Sequence, residues 1–258
     1  ETYNFRQVGG YSDGTFKELS EEQVEKISAH PGIREAGERI VCGFCTTGVF
    51  GKVPAEVSYM DKNCTKWSYA TPTTGREPEK SNEIAMDTVA LKLLGVTPEL
   101  GAKVTIEYQA GDKTNEGFQE TDTFILSGYW EYDDLMPVHY INVSKDYVKS
   151  VEEKWMASGE KAFRTDLNVM LPSKLNIEQQ MQKIDTDLGY DWNTRDQENS
   201  ARIGVNWGLT ASQLNAGMDP ELLAAIAAFL LLVIFTGYLI IYNIFQISVT
   251  GDIRFYGL

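Results

Sequence analysis

The sequence predicts an α+β domain over residues 1–218 followed by one transmembrane helix, and three observations carry that fold class. No charged side chain occurs between Leu222 and Gly251, although the chain as a whole has a formal net charge of −14. Ahead of that run, stretches of alternating apolar and polar residues interleave with segments of helical apolar spacing. Helix-start residues (Ser, Asp or Asn) stand directly in front of the helical segments.

Taken in order, Tyr3, Phe5 and Gln7 alternate with Asn4 and Arg6 as a short strand, and Gly9, Gly10, Ser12, Asp13 and Gly14 turn the chain. Ser20-Glu21-Glu22-Gln23 is a capping box, with Leu19 and Val24 placed as a hydrophobic staple. A helix therefore runs from Glu21 to about Ala29, burying Val24 and Ile27, and His30-Pro31-Gly32 ends it. Ile33–Thr46 and Val53–Tyr59 read as strands, which makes the opening segment β-α-β-β. Residues 61–81 carry Thr-Pro, Thr-Gly and Glu-Pro punctuation and read as loop. Asp87 caps a short helix, Thr88–Leu94, closed by Gly95. Lys103–Tyr108, Thr121–Trp130 and Tyr140–Val143 read as strands, with a polar turn at Gly111–Gly117. Ser144 caps a helix to about Met156, and Arg164–Leu171 is a strand. Asn176 caps a helix over Ile177–Leu188, whose residues Ile177, Met181, Ile184 and Leu188 share one face, and Gly189 closes it. Residues 190–218 are polar, weakly patterned, and join the domain to the membrane helix. The domain reads as a split β-α-β unit with a β-rich subdomain, residues 61–160, inserted into it.

Leu222–Ile241 is long enough to cross a bilayer, since a hydrocarbon core of about 30 Å needs roughly 20 apolar helical residues. Thirteen of its twenty residues are Leu, Ile, Val or Phe, among them Leu222, Phe229, Leu232, Ile234 and Ile241. Asp219 as N-cap, Pro220 at the first helical position and Glu221 in the first turn start the helix. Tyr238 and Tyr242 lie near its far end, where aromatic rings favour the membrane interface. The competing reading, a buried helix of a soluble core, expects a polar face that this segment lacks. The transmembrane helix is placed at 219–245 and a cytoplasmic segment begins at 246–258. Arg254 is the basic residue of the flanks, so the short C-terminal side is assigned to the cytoplasm and residues 1–218 to the outside.

From Asp219 onward the chain holds three acids and one base, leaving −12 on residues 1–218. That charge argues against nucleic acid or anionic headgroups as ligands and would suit a cationic peptide. Cys42, Cys45 and Cys64 are odd in number; Cys42-Gly43-Phe44-Cys45 has redox spacing but sits in a strand-like stretch rather than at a helix start. Unreactive thiols are the favoured reading, with a structural disulfide as the alternative. His30 and His139 have no Cys or His at ligand spacing, and Asp185, Asp187, Gly189 and Asp191 form a helix-end loop rather than a calcium loop, lacking the bidentate Glu. No nucleophile with an identifiable base is legible, so no catalytic, metal or cofactor site is expected and the chain is not expected to be an enzyme. Glu1 opens the sequence where Met would open a complete one, and the chain reads as a piece of a longer protein.

Several segments together resemble the FtsX-like (MacB-type) permease family of ABC transporters. Leu19-Ser20-Glu21-Glu22-Gln23-Val24 followed by His30-Pro31-Gly32-Ile33 is similar to the opening of that family's extracytoplasmic domain, with Gln23 where an acid is usual. Asn82-Glu83-Ile84, Ala90-Leu91-Lys92-Leu93-Leu94-Gly95 and Leu100-Gly101-Ala102-Lys103-Val104-Thr105-Ile106 resemble a second conserved stretch. Leu222–Phe245, then Ile253-Arg254-Phe255-Tyr256-Gly257-Leu258, resembles the second membrane helix and the segment behind it, with Phe255 where Glu is usual. The resemblance implies a domain inserted between two membrane helices, an ATPase subunit docking under a coupling segment that includes Ile253, Arg254, Tyr256 and Gly257, and a mechanical role in export or antimicrobial-peptide resistance. A second permease copy or subunit would complete such an assembly. The alternative is a single-pass membrane-anchored sensor or adhesin ectodomain with no ATPase partner, which expects no apolar span upstream of Glu1.

Overall fold

The computed structural model describes residues 10–111, 118–133, 136, 138–160, 162–163, 165–193, 199–209 and 220–256, with side chains for 224–247 in the last stretch. Contacts divide the chain into two units, Glu1–Thr210 and Ala211–Leu258. The strand expected at Tyr3–Gln7 and the turn at 112–117 lie outside the described residues.

Among the described residues the first unit has ten strands: β1 (Gly14–Leu19), β2 (Glu35–Cys45), β3 (Ala55–Met60), β4 (Thr74–Gly75), β5 (Glu83–Asp87), β6 (Lys103–Ala110), β7 (Phe118–Trp130), β8 (His139–Val143), β9 (Thr165–Met170) and β10 (Arg202–Val205). Among the described residues the longer helices beside them are α1 (Glu21–Ser28), α2 (Lys62–Trp67), α3 (Thr88–Leu93), α4 (Lys145–Ala157) and α5 (Ile177–Leu188). The strands run β10-β1-β9-β2-β3-β8-β5-β7-β4, and β6 pairs with both β2 and β7. Those last pairings close β2, β3, β8, β5, β7 and β6 into a ring, while β9, β1 and β10 extend as an open sheet from the other edge of β2.

Two large apolar clusters among the described residues follow from this topology, beside a small third one at Ala70, Ala85 and Trp130. Ile84, Ile106, Phe124, Leu126 and Ile141 fill the ring, with Val148, Val151 and Trp155 of α4 packed among them. Phe16, Leu19, Ile27, Leu167, Met181 and Ile184 form the second cluster between the open sheet and helices α1 and α5. A chain of hydroxyls ties α4 to the ring: Tyr108 Oη and Tyr147 Oη are 2.6 Å apart, and Tyr147 Oη donates to Asp122 Oδ2 at 2.5 Å.

Local signals place most elements where the sequence puts them. Ser20 Oγ accepts from the Gln23 N–H at 3.4 Å, and Gln23 Oε1 accepts from the Ser20 N–H at 2.8 Å, which completes the capping box of α1. Ile27 is buried and Val24 half-buried. Asp87 and Ser144 cap α3 and α4 through their side chains.

Four features differ from the sequence reading. β1 lies at Gly14–Leu19, where the sequence predicts turn residues up to Gly14 and then a capping signal. A bulge with Glu18 at φ 61° puts Phe16 and Leu19 on the same buried side and so breaks the alternation that identifies strands. Residues 61–81 are not all loop, because Asp61 caps α2 by accepting from the Cys64 N–H at 2.8 Å. Six residues are too few to show a helical period. Asn176 takes a left-handed conformation and makes no side-chain cap bond, so α5 starts without the expected cap. Within 190–218, β10 pairs with β1, a contact with the opposite end of the domain sequence.

Ring closure depends on Gly43. A Cβ there would stand 2.3 Å from Tyr108 Cδ2 and 2.7 Å from the Gln109 carbonyl oxygen, inside the β2–β6 contact. Gly43→Ala is expected to destabilise by about 2 kcal/mol through overpacking. Chemical denaturation checks this, with an unchanged midpoint counting against closure at this position.

Candidate functional site

The second unit is dominated by α6 (Pro220–Tyr256), 37 residues without a break. At a rise of about 1.5 Å per residue this is roughly 55 Å, well beyond the hydrocarbon thickness. Its apolar window is Ala224–Ile247, with a mean hydropathy of 2.7 and none of it buried. Phe229, Leu232, Ile234 and Ile241 are exposed on this helix, as are nearly all their neighbours. Leu222 lies on the same helix, outside the residues with described side chains.

Two of the polar side chains in the window bond locally, which lowers the cost of placing them in lipid. Thr236 Oγ1 donates to the Leu232 carbonyl at 2.7 Å. Gln246 Nε2 donates to Tyr242 Oη at 3.1 Å, and the rings of Tyr238 and Tyr242 stack at 6.2 Å. These groups gather toward the C-terminal end of the window, where an aromatic belt meets the headgroups.

Ile253, Arg254 and Tyr256 continue the same α-helix, so the segment expected to follow the membrane helix is its direct extension. Gly257 lies outside the described residues.

In the first unit, the incoming and outgoing segments are joined. Asn206 Nδ2 donates to the carbonyls of Gly10 and Ser12, each at 3.0 Å, and the Asn206 N–H donates to the Asp13 carbonyl at 3.0 Å. Asp13, fully buried, accepts from the Leu171 N–H at 2.8 Å and pairs with Lys174. Leu209 is buried and its N–H donates to Asn206 Oδ1 at 3.1 Å, which pins the outgoing end. Sequence reasoning missed Asn206 and Asp13, because their partners are up to 196 positions away and no local pattern announces them.

The residues weighed as chemistry each have a structural setting. His30 Nδ1 accepts from the Gly32 N–H at 3.0 Å, and its Nε2 lies 3.5 Å from Asp187 Oδ2. Asp187 also pairs with Lys183, and Gly189 at φ 78° closes α5 by donating to the carbonyls of Asp185 and Thr186. His139 has a setting the sequence did not reveal: its Nδ1 is 2.9 Å from Asp87 Oδ2, while Asp87 Oδ1 accepts from the Ala90 N–H at 2.7 Å. Both side chains are buried, and the Tyr132 ring lies over His139 at 4.4 Å. The pair secures the start of α3 against β8.

All three cysteines are free and buried. Burial raises all three thiols, Cys45 and Cys64 to about 12, so none supplies a thiolate at neutral pH. No group of three or more His, Cys, Asp or Glu side chains suited to a metal occurs among the described residues.

Asp185 differs from these residues, since it is fully buried on α5 and both of its side-chain oxygens are left without a partner among the described residues. Desolvation pushes its carboxyl up to about 7. A carboxyl raised in the fold favours its neutral form, so stability is greatest below the unfolded value near pH 4 and falls as pH rises toward about 7. Asp185→Asn is expected to stabilise by about 2 kcal/mol at pH 8 relative to its effect at pH 4. Denaturation midpoints at the two pH values check it; a pH-independent difference would contradict the ionisation argument.

No family model matches the sequence, and no curated protein does. Among solved structures, the extracellular domain of the noncanonic ABC-type transporter YknZ from Gram-positive bacteria is similar at 12% identity and a TM-score of 0.44, covering 76% of this chain and 99% of that one. The periplasmic region of MacB from Actinobacillus actinomycetemcomitans is similar at 13% identity and a TM-score of 0.47, covering 83% of this chain and 99% of that one.

Proposed function

We propose that this chain is part of a permease subunit of an FtsX-like, MacB-type ABC transporter: an extracytoplasmic domain, the membrane helix that follows it, and the start of the coupling segment. The observation that carries the reading is the join at Asn206. A domain inserted between two membrane helices needs its two ends on one side, and Asn206 holds the outgoing segment to the carbonyls of Gly10 and Ser12. The continuous helix Pro220–Tyr256 supplies a stiff strut, since its backbone hydrogen bonds are internal. In this reading the span lies at 219–245. Residues 246–258, with Ile253, Arg254, Tyr256 and Gly257, carry motion from an ATPase subunit in the cytoplasm to the ectodomain. ATP hydrolysis belongs to that separate subunit. A second permease copy or subunit completes the assembly. The work is export or antimicrobial-peptide resistance, with a cationic peptide as the ligand suited to the acidic domain.

Co-expression with a candidate ATPase subunit, followed by affinity capture, tests the coupling role. The full chain is expected to retain the ATPase, and truncation before Gln246 to lose it. Undiminished capture after truncation would remove residues 246–258 from the docking role.

A further inference from the structure

The face of β3 and β8 that looks away from the ring core carries buried oxygens that nothing satisfies. Ser58 on β3 and Asn142 on β8 stand opposite each other in the parallel register. Val57, Ile141 and Val143, their neighbours along the strands, belong to the ring core, so Ser58 and Asn142 point to the other face. They are 0% and 1% exposed. Asn142 Nδ2 donates to the Ala70 carbonyl at 3.2 Å and to Glu77 Oε2 at 3.4 Å, which draws the segment after α2 onto this face. Thr65, buried on α2, also bonds the Glu77 carboxyl.

Three oxygens of this group are buried without a hydrogen-bond partner among the described residues: Ser58 Oγ, Asn142 Oδ1 and Glu77 Oε1. Two of them belong to the amide and the carboxyl that touch, and the third to the register neighbour. Asn142 Oδ1 and an ionised Glu77 can only accept. The adjacent Arg76 does not supply a countercharge, since its guanidinium donates to both carboxylate oxygens of Glu83. No Lys or Arg side chain acts on the Glu77 carboxyl among the described residues, and burial pushes it up to about 7. A bridging water would bring two protons but leave the buried charge unbalanced. A cation answers both needs, because carboxylate, amide and hydroxyl oxygens are the ligands of hard cations. One carboxylate balances a single positive charge, whereas a divalent ion would leave a net charge buried.

We propose that Glu77, Asn142 and Ser58 hold a monovalent alkali cation between β3, β8 and the segment after α2. The ion completes the coordination of the three orphaned oxygens and fastens that segment to the outer face of the ring. The site is independent of the transporter reading, which rests on other residues.

Denaturation of the full chain in detergent tests this, followed by tryptophan emission in sodium chloride and in choline chloride of equal ionic strength. The pH is set at about 8, where Glu77 is largely ionised. The two salts screen charge alike, but choline is too bulky to be held by three buried side-chain oxygens. The midpoint of the native chain is expected to be higher in sodium and to rise with sodium concentration. Glu77→Gln removes the charge and keeps the shape, so the sodium shift should be lost. In choline that variant should be more stable than the native chain, which there buries a carboxylate without a counter-ion. Should Glu77→Gln fail to fold, Ser58→Ala decides, since it deletes one orphaned oxygen and no side-chain hydrogen bond among the described residues. It is expected to fold and to show a smaller sodium shift. Equal midpoints of the native chain in the two salts, or a sodium shift undiminished in either variant, overturns the inference and leaves the transporter reading standing.

Discussion

Arg39→Ala is expected to cost about 3–5 kcal/mol, because it strands a buried carboxylate. Arg39 on β2 donates through Nε to Glu56 Oε1 at 2.8 Å and through Nη2 to Glu56 Oε2. Glu56 on β3 is only 4% exposed. The guanidinium also lies 5.9 Å from the Tyr140 ring centroid on β8 and opposite Asp166 on β9 in register. One side chain thus bridges the strand pairs on both sides of β2, where the closed ring meets the open sheet. Its removal leaves Glu56 with neither water nor a cation, and that desolvation dominates the loss. Arg39→Met combined with Glu56→Leu removes both charges and should cost much less than the single change. Urea denaturation followed by the emission of buried Trp67 and Trp130 compares the variants. Equal losses in the single and double variants would show that packing rather than charge sets the effect.

Leu232→Arg combined with Ile234→Arg is expected to abolish stable membrane insertion, whereas either change alone should not. Thirteen Leu, Ile, Val and Phe residues occur between Leu222 and Ile241. At about −0.3 to −0.6 kcal/mol each, they favour insertion by roughly 4–8 kcal/mol. A central Arg in place of Leu or Ile costs about 3 kcal/mol, less than that margin, while two such changes cost about 6 kcal/mol and bring it near zero. Alkaline carbonate extraction distinguishes the outcomes: single variants remain with the membrane fraction and the double variant is released. Full retention of the double variant would mean that contacts other than hydrophobic transfer hold the helix.

The contrast between these two sites shows where the sequence was informative. The capping box at Ser20, the Asp87 and Ser144 caps and the Gly189 stop are bonds between residues three or four positions apart, so spacing alone announces them. β1 escaped because its bulge at Glu18 disrupts the alternation, and β10 because its four residues acquire meaning only against β1. His139 looked unplaced because Asp87, its partner, is 52 positions away. The orphaned carboxylate of Asp185 was equally invisible, since burial is a property of α5 packed in place rather than of the residue.

The long apolar helix was legible in the sequence because its two defining traits, side chains apolar all round and backbone hydrogen bonds closed within the helix, are both local properties. Ring closure at Gly43, the Arg39–Glu56 bridge and the Asn206 join were decided by tertiary structure. Each depends on chain segments that meet only after the intervening loops have closed. The free energy that selects them, close packing and the pairing of buried polar groups, therefore resides in no single stretch of sequence.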